Sequence, residues 1–174
     1  RQDIIWHKLN PMPSSVTDRC TTAHEYIFLL SKSAQYYYCA SAIKEKALTS
    51  GKIGGFTPNA ADAAGRPRSG NMIPENGQAY VRKETRNKRS VWTVPTKGYP
   101  GAHFATYNPA LIEPCILAGC PKGGTALDPF MGSGTTAQVA LELDCNALGI
   151  ELNPEYCELI KKRLNPILEQ TMLF

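Results

Sequence analysis

The sequence predicts a doubly wound, Rossmann-like three-layer α/β domain, circularly permuted and incomplete, with an irregular basic insert. Three observations carry that expectation. From Thr125 onward the chain alternates strand, helix, strand and helix. Gly132-x-Gly134-x-x-Ala137 joins the first of these strands to its helix, and Glu151 ends the next strand 19 residues after Gly132. Only 23 residues follow Glu151. They suffice for one helix, so the other strands of such a sheet must lie upstream.

The elements follow in chain order. Asp3–Lys8 reads as a short buried strand that runs into the breaker cluster Asn10–Ser15. His24–Lys32 is a second strand, apolar on both faces as a sheet interior requires. Tyr36, Tyr37 and Tyr38 read as a strand partner for it, and both early strands are expected in one sheet with the strand before the glycine loop. Periodicity fades from Thr49 to Ser90, where Gly and Pro recur in a segment too long for an ordinary connection. Ser90–Pro95 ends it with a strand-like signal. Asn108-Pro109 pairs a favoured N-cap with a residue tolerated at the first helical position. Leu111, Ile112, Cys115, Ile116 and Leu117 then recur at helical spacing up to Gly119. Strands follow at Thr125–Phe130 and Ala147–Glu151, with a helix from about Thr136 to Leu143 between them. Asn153-Pro154 opens a last helix with Leu159, Ile160 and Leu164 inward and Lys161, Lys162 and Arg163 near its end, where cations suit the helix dipole.

Charge is unevenly spread. Residues 44–97 carry eleven basic side chains against four acidic, while residues 98–174 carry four against eight. A basic insert between near-neutral or acidic segments suits a polyanion partner. The six cysteines form no C-x-x-C pair, and His7, His24 and His103 do not stand at ligand spacing from them. Reduced thiols in a cytoplasmic protein, without structural metal, are the expectation. No apolar run approaches the roughly 20 residues that span a bilayer. The chain opens on Arg1 without an initiator Met, which suggests residues upstream.

The glycine loop has chemical content. Its glycines let backbone approach a ligand, and an acid at the end of the following strand accepts hydrogen bonds from ribose hydroxyls. A phosphate-binding P-loop needs a Lys that Gly134-Thr135-Thr136 lacks. Asp128, at the mouth of the first strand, repels a pyrophosphate but suits an ammonium. S-adenosylmethionine offers an amine, a sulfonium and a ribose, and fits better than a nicotinamide dinucleotide. Phe130 can lie against an adenine. Trp6 and Trp92 read as core or loop anchors, and one of Thr135 and Thr136 as a helix cap.

Leu127-Asp-Pro-Phe-Met-Gly-Ser-Gly-Thr-Thr136 resembles the cofactor loop of the amino-group DNA methyltransferases, which methylate adenine N6 or cytosine N4. The likeness is to the permuted class with this loop near the C-terminus. Gly149-Ile-Glu-Leu-Asn-Pro-Glu-Tyr156 is similar to that family's next motif, and His103–Ile112 to the segment holding the methionine end of the cofactor. Asp3–Pro13 and His24–Lys32 resemble its middle strands. The resemblance implies a methyltransferase core, here partial, over 1–43 and 98–174, with a target-recognition insert at 44–97. It implies S-adenosylmethionine contacts from Phe104, Thr106, Asp128, Phe130, Gly132, Gly134, Thr135 and Glu151. Contacts to double-stranded DNA are implied for Arg66, Arg68, Arg82, Lys83, Arg86, Lys88 and Arg89. The family's catalytic Asp/Asn/Ser-Pro-Pro-Tyr/Phe tetrapeptide occurs nowhere in residues 1–174. The expectation is therefore a C-terminal part, inactive alone, whose catalytic motif comes from an upstream fragment or a second subunit. The alternative is a non-catalytic remnant that binds cofactor and DNA.

Overall fold

The structure is a computed structural model. It describes residues 1–47, 51–52, 81–82, 84–96 and 106–171, except the side chains of 51, 52, 81, 82, 170 and 171. The chain divides into two compact units, Arg1–Ile43 with Arg89–Phe174, and Lys44–Lys88. The segment 44–97 thus overlaps both, because the chain from Arg89 onward belongs to the larger unit.

In the larger unit, β1 (Gln2–His7) and β2 (His24–Leu29) form an antiparallel pair with Ile5 opposite Tyr26. β7 (Val91–Thr93) joins the other side of β1 in parallel, placing Trp92 beside Trp6. Alternation along the strands then decides what is buried. Trp6 and Trp92 point to one face and pack with Leu111 and, around them, Ile4, Ile27 and Val94. The Trp6 indole also donates to the Val94 carbonyl at 2.8 Å. Both tryptophans are core anchors, as expected.

Two expectations for this region fail. Among the described residues β2 is an edge strand, and Tyr26 and Phe28 on its second face are 56% and 60% exposed. Its apolar character therefore does not mark a sheet interior. Tyr36, Tyr37 and Tyr38 form no strand and stay partly exposed, with Arg1 over the Tyr36 ring at 5.2 Å.

The helix α1 (Pro109–Gly119) starts where expected, with Asn108 Oδ1 accepting from the Ala110 amide at 3.1 Å. β8 (Thr125–Asp128) and β9 (Asn146–Gly149) pair in parallel, with Leu127 opposite Leu148, and α2 (Thr135–Glu142) crosses between them. Ala126 and Ala147 pack beneath Val139 and Ala140 of α2 and Ile116 of α1. The opposite face carries Leu127, Leu148 and Ile150, each more than half exposed. Among the described residues β8 pairs only with β9, and the β2-β1-β7 sheet is separate from β8-β9. The expected single sheet is not formed: no described strand pairs with the second edge of β8. The last helix, α3 (Pro154–Thr171), runs well past the three basic residues expected at its end.

The smaller unit contains two short antiparallel pairs. β3 (Glu45–Lys46) meets β6 (Thr85–Arg86), and β4 (Gly51–Lys52) meets β5 (Val81–Arg82). No helix among the described residues is long and apolar enough to cross a membrane. All six cysteines are free thiols.

Candidate cofactor site

The site begins where β8 stops. Asp128 ends the strand, and its Oδ1 accepts the Phe130 amide at 2.9 Å, which turns the chain out of the sheet. Phe130 is left 88% exposed. Met131 turns back inward, its amide bonded to the Ile150 carbonyl at 2.9 Å and its side chain over Gly149. A Cβ at Gly149 would stand 2.9 Å from Met131 Cγ, so a larger residue there would displace the Met131 side chain.

Two glycines then take left-handed backbone, Gly132 at φ +53° and Gly134 at φ +81°. The space beside them differs. A Cβ on Gly132 would meet nothing nearer than the Phe130 carbonyl at 3.9 Å, so that side of the loop is open. On Gly134 it would lie 3.2 Å from Ile160 Cγ1, so α3 closes that side. Gly134 is the N-cap of α2, and no side chain caps the helix.

Thr135 and Thr136 are both buried, and neither serves as the expected cap. The Thr136 hydroxyl donates to Asp128 Oδ2 at 2.5 Å instead. Tyr107 reaches the same place from the segment before α1. Its hydroxyl lies against Thr136 Oγ1 and 3.2 Å from Asp128 Oδ2, to which it donates. Burial pushes the Tyr107 phenol above its ordinary pKa, and the nearby Asp128 charge adds to the rise.

Glu151 follows β9 and turns toward the loop. Its Oε2 accepts the Gly132 amide at 2.7 Å and its Oε1 the Asn153 amide at 2.8 Å. Asn153 Oδ1 in turn accepts the Glu155 amide at 2.9 Å, opening α3. The two carboxylates therefore stand at the carboxyl ends of adjacent parallel strands, where open α/β sheets bind ligands.

The structure brings together Asp128, Phe130, Gly132, Gly134, Thr135 and Glu151. Thr106 precedes Tyr107 and is half-buried, while Phe104 lies outside the described residues. Two participants escape the sequence reading. Tyr107 lies within the His103–Ile112 segment of the resemblance, but no role fell to it there. Arg163 read as a cation near a helix end, yet it sits mid-helix and donates to Ser133, Thr135 and Gln138.

Of the expected DNA contacts, only Arg86, Lys88 and Arg89 have described side chains. Arg66, Arg68 and Lys83 lie outside the described residues, as does the side chain of Arg82. Arg86 pairs with Glu45 across β3 and β6 at 2.8 Å, so its charge is already partly spent within its unit. Lys88 is half-buried, and Arg89 is exposed in the larger unit with its carbonyl accepting from the Trp92 indole at 2.7 Å.

Comparison with known proteins agrees with this geometry. A DNA methylase family model, that of the N6 and N4 methylases, matches residues 1–162. Type II methyltransferase M.SmaI of Serratia marcescens is 43% identical over 164 residues, covering 94% of this chain and 46% of that protein. M.Cfr9I of Citrobacter freundii is 42% identical, covering 94% and 44%. The chain thus spans less than half the length of these relatives. Among solved structures, the M1.HpyAVI–SAM complex superposes with a TM-score of 0.56 at 25% identity, over 95% of this chain and 62% of that one. The cytosine-N4-specific PvuII DNA methyltransferase gives 0.59 at 18% identity, over 97% and 57%. The mixed α/β architecture is that of the DNA methyltransferase fold, and the chain belongs to the N6/N4 DNA methylase family.

Proposed function

We propose that these residues are the cofactor-binding and DNA-recognition part of a DNA methyltransferase. The enzyme would move a methyl group from S-adenosylmethionine to an exocyclic amino group of adenine (N6) or cytosine (N4) in double-stranded DNA. One observation carries the reading: Asp128 and Glu151 stand fixed at adjacent strand ends about a glycine loop that is open at Gly132. Those residues fit the cofactor. Glu151 keeps a lone pair on each oxygen for the ribose hydroxyls, and Asp128 Oδ1 keeps one for the ammonium. Phe130 offers its exposed ring to the adenine. Gly132, Gly134 and Thr135 shape the backbone beneath the ligand, and Phe104 and Thr106 meet its methionine end. When bound, the cofactor supplies an electrophilic methyl group on a sulfonium.

Residues 44–97 form the target-recognition insert in this reading, with Arg66, Arg68, Arg82, Lys83, Arg86, Lys88 and Arg89 on phosphates. The work takes place in the cytoplasm. An exocyclic amino nitrogen is a weak nucleophile and must be held beside the methyl group on an extruded base. No residue here resembles the family's holder for it, so that motif comes from sequence outside these residues or from a partner chain. The exposed apolar face of β8 and β9 supports this, since a three-layer sheet is covered on both sides. It equally supports the second reading, a split subunit or remnant that binds cofactor and DNA without catalysing.

Transfer of labelled methyl to DNA tests the assignment, first with the 174-residue chain and then with a polypeptide carrying a Pro-Pro-aromatic motif added. Activity only in the mixture is expected. Transfer by the chain alone refutes the missing catalytic site, and failure to bind S-adenosylhomocysteine refutes the cofactor site.

A further inference from the structure

Ser133 stands between the two left-handed glycines, so the residues on both sides of it are the least constrained in the loop. It is nevertheless buried, 7% exposed, and both its oxygens turn toward α3. Arg163 Nη1 donates to the Ser133 carbonyl at 3.0 Å, to its hydroxyl at 3.1 Å and to Thr135 Oγ1 at 3.1 Å. Nε of the same guanidinium donates to Gln138 Oε1 on α2 at 2.6 Å. Ile160, three residues earlier and on the same side of α3, closes on Gly134.

We propose that Arg163 is a positioning residue for the glycine loop, fixing Ser133 and Thr135 from behind so that the backbone is set before the cofactor arrives. The inference rests on the reading of this loop as the S-adenosylmethionine site. A guanidinium suits the task because its donors diverge in one plane, and a single side chain thereby ties loop, α2 and α3 together. An ammonium offers its donors from one nitrogen and lacks the separate Nε that meets Gln138. A ligand that meets an ordered loop does not have to order it, and its affinity rises accordingly. Arg163 itself lies behind the loop, on the side that α3 already fills, so it acts through Ser133 and Thr135.

Two measurements test this. Calorimetric titration with S-adenosylhomocysteine reads affinity, and amide hydrogen exchange without ligand reads loop order. The variants are Arg163→Gln and Arg163→Lys, with Ile27→Ala near Trp6 as a control for lost stability alone. Arg163→Gln is expected to weaken binding about tenfold, the loss typical of hydrogen bonds to a charged group. It should also speed exchange at the Gly134 and Gln138 amides while leaving β1 and β2 unchanged. Arg163→Lys should fall between, about threefold weaker. Ile27→Ala should lower the melting temperature yet leave both loop readouts alone. Binding and loop exchange equal to wild type in either Arg163 variant overturn the proposal, and the Lys variant decides the matter if the Gln variant does not fold. A wild-type protein that binds no S-adenosylhomocysteine refutes the cofactor reading instead, and the exchange data, which need no ligand, still judge Arg163.

Discussion

Replacing Gly134 by alanine separates two reasons for a glycine at one position. The first is conformational, because φ is +81° and an L side chain pays about 1–2 kcal/mol in the left-handed region. The second is steric. The new Cβ would lie 3.2 Å from Ile160 Cγ1 and 3.4 Å from Cγ2, so α3 must yield by a few tenths of an ångström. Overpacking of that size costs about 1 kcal/mol. Gly134→Ala should therefore lose about 2–3 kcal/mol. Gly132→Ala has φ +53° but open space, and should lose only the conformational part, about 1–2 kcal/mol. Urea unfolding of both variants reads the difference. The steric part can be isolated with Ile160→Ala in a double-mutant cycle, where about 1 kcal/mol of the Gly134→Ala penalty should disappear. If Gly134→Ala costs no more than Gly132→Ala and shows no coupling to Ile160, α3 does not brace the loop as described.

Three further outcomes follow from the same geometry. Glu151→Gln should weaken S-adenosylhomocysteine binding by at least about tenfold, since the charged acceptor for the ribose is lost; calorimetry reads it. Tyr107 binds its proton more tightly folded than unfolded, so its share of stability is full below pH 10 and fades as pH rises from there through the raised folded pKa. The difference in unfolding free energy between wild type and Tyr107→Phe should accordingly shrink above about pH 10, and urea titrations from pH 8 to 11 would show it. Replacing Arg82, Lys83, Lys88 and Arg89 by Ala should flatten the salt dependence of DNA binding by about 0.9 in slope per lost phosphate contact, as measured by fluorescence anisotropy. Arg86→Ala should behave differently and also loosen β3 and β6, because it removes the ion pair with Glu45 that joins the two strands.

What the sequence made legible were features written in neighbouring residues. The Asn108 cap, the glycine loop, the β8-α2-β9 unit and the spacing from Gly132 to Glu151 all depend on local residue choice. What it hid depends on partners far along the chain. Apolar Tyr26 and Phe28 look identical in an inner strand and at an uncovered edge, because periodicity does not record what packs on top. One of Thr135 and Thr136 read as a cap, yet Asp128 claims the Thr136 hydroxyl and Arg163 meets that of Thr135. Arg163 looked like a dipole partner because helix length is hard to read through Pro166, and its real partners lie 25 to 30 residues away. Tyr107 similarly gains meaning only when Asp128 and Thr136 are folded beside it.

Leu127 and Leu148 stand opposite one another on a face no described element covers, and Ile150 extends the row. Handled as 174 residues, the protein therefore carries a water-facing strip of the kind that binds fluorescent apolar dyes and draws molecules together at high concentration. The edge of β8, with which no described strand pairs, adds a backbone row of the kind that invites a further strand. Purification yield and light scattering thus report on this sheet as directly as any ligand does, and a polypeptide that rescues solubility on co-expression identifies itself as the covering layer.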